Sequence, residues 1–193
     1  LSATGNPAKQ QGFEPLMPGF LRVPYDDIEA VRRAADQSPS IVAVLIEPVQ
    51  GEGGIRVASA DYLRQLRALC DERGWLLMID EIQAGMGRTG AWFGHQHAGI
   101  TPDVMTLAKA LGNGFPIGAC LARGEAADLF SPGQHGSTFG GSPLAAAVAV
   151  AALEVLDEEH LADRATELGE YFMAKLREIN APIVKEVRGR GLL

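Results

Sequence analysis

Two short apolar runs and the helix between them decide what this chain can fold into. "IVAVLI" (residues 41–46) is a continuous branched-apolar run, and "WLLMID" (75–80) is a second. Runs of this length without alternation are expected of strands covered on both faces. Between them, "ADYLRQLRALCDERG" puts Tyr62, Leu63, Leu66, Leu69 and Cys70 on one stripe at helical spacing. Ser59 stands where a cap accepts the first free amides, and Gly74 stands where the helix must stop. Strand, helix, strand at this spacing is a βαβ unit, whose strands run parallel. The fold class is therefore α/β, a mostly parallel sheet flanked by helices.

The rest of the chain fits around that unit. Residues 1–25 are rich in proline and glycine and read as irregular. "DDIEAVRRAADQ" starts a helix, with Asp26 as cap and Glu29 three residues on. "EPVQGEGGI" reads as a loop. "VMTLA" and "IGACLA" are two further short strands. Ser142 and Pro143 form a cap and first-turn pair for a helix over 143–158. A second helix runs over about 160–179, and "APIVKEVRGRG" starts another strand.

Charge and composition exclude several functions. The net charge is −7 with no basic stripe, which argues against nucleic-acid phosphate as a partner. No apolar run reaches membrane length, so no membrane partner is expected. Cys70 and Cys120 sit in apolar patterns without a C-x-x-C, as expected of a reducing, cytoplasmic compartment. The chain begins at Leu1 and stops at "VRGRGLL", which reads as a piece of a longer protein.

"GMGRTG" (Gly85, Gly87, Gly90) matches G-x-G-x-x-G to the letter. A dinucleotide site also needs a helix opening at the glycines and an acid about 20 residues on, and neither follows. His95 and His97 form H-x-H but lack nearby further ligands; they read as loop histidines, and no metal site is expected.

Asp80 ends its strand, and ligands of open parallel sheets sit outside strand carboxyl ends. The carboxylate either orders the following loop or faces a ligand. Glu81 follows it, but successive side chains point apart, so the two do not form a paired carboxylate. Lys109 stands at the end of "VMTLA", before Gly112 and Gly114, which give room for something flat or bulky. Alone it is either a snorkelling surface lysine or a desolvated amine nucleophile. An imine-forming lysine together with a strand-end aspartate is the pairing expected for pyridoxal 5'-phosphate, whose ring nitrogen an acid keeps protonated.

"EPVQGEGG", "IDEIQAGMGRTG", "TLAKALGNGFPIGACLA" and "HGSTFGGSPLA" occur in the order and spacing of the class III (ω-amino) pyridoxal-phosphate aminotransferases. Within that family the wording is most similar to acetylornithine and succinylornithine aminotransferases. The resemblance implies the type I transferase fold. Residues 1–155 would be the second half of the large cofactor domain, and 156–193 the start of a smaller C-terminal α+β domain. It implies that Lys109 carries the cofactor and that Asp80 pairs with its ring nitrogen. Glu81, Ile82 and Gln83 would complete the cofactor contacts, with Ile82 on the ring face and Gln83 on the phenolic oxygen. Thr138 would bind the cofactor phosphate of the other subunit of a homodimer. Ser137 and Glu47 would serve the substrates.

The implied reaction passes the terminal amine of N-acetylornithine or N-succinylornithine to 2-oxoglutarate, in arginine metabolism. Ornithine and 4-aminobutyrate remain alternative donors. More distant rivals are a nicotinamide-dependent oxidoreductase using "GMGRTG" and an inactive, truncated dimer partner. The family's phosphate turn and substrate arginines lie outside residues 1–193, so a chain confined to these residues is expected to bind cofactor poorly.

Overall fold

The structure is a computed structural model and describes residues 1–179 and 181–193. Two compact units are present, Leu1–Ile41 and Val42–Leu193. The first holds α1 (Pro7–Gln10), capped by Asn6, and α2 (Ile28–Gln37). The cap of α2 is Asp27, not Asp26: its carboxylate accepts a bond from Ala30 N at 2.9 Å. Asp26 instead adopts φ 63, so the helix starts one residue later than expected. Glu29 then lies one position too early to close a capping box.

The second unit contains β1 (Ala43–Ile46), β2 (Val49–Gln50), β3 (Arg56–Val57), α3 (Ala60–Arg73), β4 (Leu76–Asp80), β5 (Val104–Leu107), β6 (Ala119–Ala122), α4 (Pro143–Glu158) and α5 (Leu161–Glu178). The main sheet has the order β1-β4-β5-β6, parallel except for β6, which runs antiparallel to β5. The βαβ unit is as expected. Ala43 to Ile46 pair with Leu76 to Ile79, and α3 lies between them in the chain. Ser59 Oγ accepts from Tyr62 N at 3.1 Å, and Gly74 ends the helix at φ 66. All five stripe residues are buried, with Leu66, Leu69 and Cys70 completely so. Each such leucine contributes about 2 kcal/mol of transfer free energy.

Other elements depart from the sequence reading. The loop after β1 contains a short antiparallel ribbon, β2–β3. β1 is not covered on both faces. Ile46, Leu77 and Ile79 are buried on one side, whereas Leu45 on the other is 47% exposed. Ser142 does precede α4, but its side chain makes no cap bond, so Pro143 alone marks that start. Residues 181–193 carry no strand. A boundary between residues 155 and 156 would fall inside α4, which runs on to Glu158.

At the amino ends of the strands, Asp103 joins α3, β4 and β6. Its Oδ2 accepts from Arg67 Nη1 at 2.7 Å and from Leu77 N at 2.8 Å, and Arg123 lies 3.5 Å from Oδ1. Burial opposes the charge. The bonds from Leu77 and Arg67, with the charges of Arg67 and Arg123, outweigh it and hold the carboxyl below its usual range. A depressed folded pKa adds stability that is complete above the unfolded value and is lost as pH falls through the folded one. Asp103→Ala is therefore expected to cost about 2 kcal/mol near neutrality, by leaving Leu77 N without its acceptor and Arg67 with Asp71 but not Asp103. The gap to wild type should narrow below about pH 4. Urea melts at several pH values check this; a gap that widens in acid would contradict it.

Candidate functional site

The carboxyl ends of β4 and β5 lie side by side, because Asp80 pairs with Thr106 across the sheet. Glu81 N donates to Thr106 O at 3.0 Å, extending the pairing past the strand end. Lys109 comes three residues after Thr106. Neighbouring strands are about 4.8 Å apart, so the two chain segments carrying Asp80 and Lys109 leave the sheet together.

Lys109 opens a short 3₁₀ turn, Lys109–Leu111, at φ 47. A non-glycine residue in this region costs about 1 kcal/mol and persists only where its surroundings hold it. Gly112 N and Asn113 N both donate to Lys109 O, at 3.0 and 3.1 Å. The side chain itself is exposed, so the apolar run around it does not desolvate the amine. Gly112 makes room for its own chain: a Cβ there would meet the carbonyl of Phe115.

Ile82, Gln83, Arg88, Lys109 and Phe115 line an open cleft of about 680 Å³. Asp80 is half-buried, and the loop-ordering alternative holds for it. Its Oδ1 accepts from Ile82 N at 2.9 Å and orders the turn. Oδ2 has no donor among the described residues. Glu47, just after β1, accepts from Gly51 N at 3.3 Å. Burial pushes its carboxyl above the usual range, helped by the charge of Asp80 and opposed by that of Lys109. The loop that follows lies directly on Gln83, since a Cβ at Gly51 would overlap the Gln83 amide. Glu47, Asp80, Gln83 and Lys109 are thus one neighbourhood.

Other expected site residues lie elsewhere. Glu81 does not open on the cleft. It is 1% exposed, and its carboxylate accepts from Gly94 N, His95 N and His95 Nδ1, each at 2.9 Å. The alternation of side chains that puts Asp80 outward puts Glu81 inward. Ser137 and Thr138 are on an exposed loop, where Ser137 Oγ accepts from Gly140 N at 3.1 Å; neither lines the cleft. His97 Nε2 is used by Thr89, and among the described residues no group of three or more metal-ligating side chains comes together.

"GMGRTG" has a packing explanation. No helix opens at its glycines. Gly87 and Gly90 have φ of 81 and 90, and a Cβ at either would run into Leu156 of α4 or Thr166 of α5. The loop needs glycine to pack against those helices. Sequence reasoning missed the Glu81–His95 pair and Arg88 of the cleft wall. The only hint was their position beside Asp80 and inside the glycine loop.

The model of the family "Aminotransferase class-III" matches residues 1–193. Acetylornithine aminotransferase of Nitrosomonas europaea is 52% identical across the whole chain and half of its own length. Acetylornithine aminotransferase 1 of Bordetella pertussis is 54% identical over the same shares. Among solved structures, ornithine aminotransferase from Toxoplasma gondii superposes with a TM-score of 0.95 at 44% identity, over the whole chain and 46% of its own. Acetylornithine aminotransferase from Elizabethkingia anophelis gives 0.87 at 42% identity, over 92% of this chain and 47% of its own. The chain spans about half the length of the curated relatives it matches.

Proposed function

Since the chain belongs to the class-III aminotransferase family, we propose that the whole protein moves the terminal amine of N-acetylornithine or N-succinylornithine to 2-oxoglutarate. Pyridoxal 5'-phosphate is the cofactor, a semialdehyde and glutamate are the products, and the step serves arginine biosynthesis in the cytoplasm. The observation that carries this is the meeting of Asp80, Gln83 and Lys109 at the carboxyl ends of β4 and β5. Identity to curated acetylornithine aminotransferases favours the acylated donor. A second reading, ornithine as donor, draws on the similarity to the T. gondii structure.

The residues present fit the cofactor. The cleft holds an exposed primary amine, an apolar side chain and an amide, and the half-buried Asp80 carboxylate, which gives one oxygen to Ile82 N, stands at the strand end beside it. Pyridoxal phosphate, when bound, supplies an electron sink that makes the amine-bearing carbon of the substrate acidic. Lys109 Nζ would hold that group, and its amine would serve to move a proton at the substrate carbon. Asp80 would keep a proton on the ring nitrogen, Ile82 would supply an apolar contact to the ring, and Gln83 would donate to the phenolic oxygen. Glu47, whose carboxyl burial pushes above its usual range, would face the substrate side. Thr138 and Ser137, exposed and away from the cleft, suit a homodimer in which this loop completes the partner's site. The passage from the cofactor domain to the smaller one lies around α4.

Borohydride treatment of the full-length protein, followed by peptide mass mapping, is expected to place the reduced cofactor adduct on Lys109. An adduct on another lysine would refute the assignment. Turnover of N-acetylornithine, N-succinylornithine, ornithine and 4-aminobutyrate, compared side by side, then identifies the donor, with an acylated ornithine expected to lead.

A further inference from the structure

Glu81 sits between the strand-end Asp80 and Ile82 of the cleft wall, yet its own side chain is almost wholly buried. A buried carboxylate is costly unless several donors meet it. Here three do: Oε2 takes the Gly94 amide, and Oε1 takes both the amide and Nδ1 of His95. A carboxylate only accepts, so His95 Nδ1 carries the proton of that bond. The His95 ring is 7% exposed and stacks on Phe93 at 5.7 Å between centroids, with planes 8° apart. Glu81's backbone is tied as well. Its N–H reaches Thr106 on β5, and its carbonyl takes Gly85 N at 2.9 Å. Space around it is tight, since a Cβ at Gly94 would meet Pro48, Ala84 and Glu81 Oε2. No other residue in the Asp80–Gln83 segment is fixed at so many points.

We propose that Glu81 is a positioning residue of the transamination site: clamped by Gly94 and His95, it holds Ile82 and Gln83 in the cleft wall and Asp80 fixed beside them. It touches neither cofactor nor substrate. This rests on the aminotransferase reading above. Because side chains alternate along the strand end, rotating Glu81 out of its pocket would rotate Asp80 away from the ring nitrogen. A misplacement of about 1 Å in such a group can cost on the order of a hundredfold in rate.

Glu81→Gln is the discriminating change, because it keeps the shape and removes an acceptor. The amide then sets N–H against the N–H of Gly94. In the full-length holoenzyme we expect kcat to fall about tenfold or more with KM for 2-oxoglutarate little changed. The pH midpoint of the bound cofactor's visible absorbance should also move by about half a unit or more, since Asp80 no longer meets the ring squarely. His95→Phe retains the stacking and the backbone donor, and should shift the midpoint the same way but less. It serves as the test if Glu81→Gln does not fold. Asp103→Ala, at the opposite end of the sheet, should lower stability yet leave midpoint and kcat unchanged. A wild-type midpoint and kcat in the folded Glu81 or His95 variant would overturn the proposal. So would an equal shift in Asp103→Ala, which would make the effect general loosening. If the wild-type protein forms no borohydride adduct at Lys109, the aminotransferase reading itself fails. An adduct with unshifted variants rejects the positioning role alone.

Discussion

Lys109→Ala in the full-length protein is expected to cut transamination by about a thousandfold or more, with no reducible adduct formed. On the proposed assignment two contributions would be lost together: the nitrogen that would hold the cofactor, and the base that would move the proton at the reacting carbon. The fold should survive. The side chain is exposed, and the turn is held by backbone bonds from Gly112 and Asn113 to the Lys109 carbonyl, which alanine retains. Alanine at φ 47 is as strained as lysine, so stability should change little. Added primary amines supply part of the missing base, and a partial return of activity with methylamine would mark the lost group as an amine. Turnover within a few-fold of wild type would reject Lys109 as the cofactor lysine.

Those features of the site that were legible in the sequence share one property: they are written within a few residues. The strand-end places of Asp80 and Lys109 could be read because each ends an apolar run, and the structure puts both at the carboxyl ends of parallel strands. α3 was legible because its cap, stripe and stop are all local, and the structure keeps each of them. What escaped depends on distant partners. Glu81 looks like a second site carboxylate from its neighbours alone, while the amides that bury it are 13 and 14 residues further on. β2 and β3 have two residues each, too few for any alternation to show. Asp26 and Asp27 are equal as caps by residue type, and only the backbone entering α2 separates them. The glycines of "GMGRTG" answer to Leu156 and Thr166, far along the chain, so the local reading could reject a dinucleotide site but could not say what the glycines are for.

Asp80 has one observed job and one proposed job, which two substitutions can separate. Its Oδ1 orders the turn by accepting from Ile82 N, and its charge is the group assigned to the ring nitrogen. Asp80→Asn retains an oxygen for Ile82 but carries no charge. Its thermal midpoint should stay close to that of wild type, while kcat falls by about a hundredfold or more, because a neutral amide cannot keep the ring nitrogen protonated. Asp80→Ala removes both functions and should lose about 1 kcal/mol of stability in addition. A third readout follows from Glu47, whose carboxyl is raised first by burial and then by the charge of Asp80. In Asp80→Asn the second cause disappears, so Glu47 should titrate at lower pH than in wild type, which carboxyl chemical shifts can follow. Near-normal turnover in Asp80→Asn would show that the charge is dispensable. Equal loss of stability in the Asn and Ala variants would show instead that the turn bond does not order this loop. The outcome expected is activity lost in both variants and stability lost in only one. That combination requires a carboxylate that shapes its loop with one oxygen and serves the cofactor with the other.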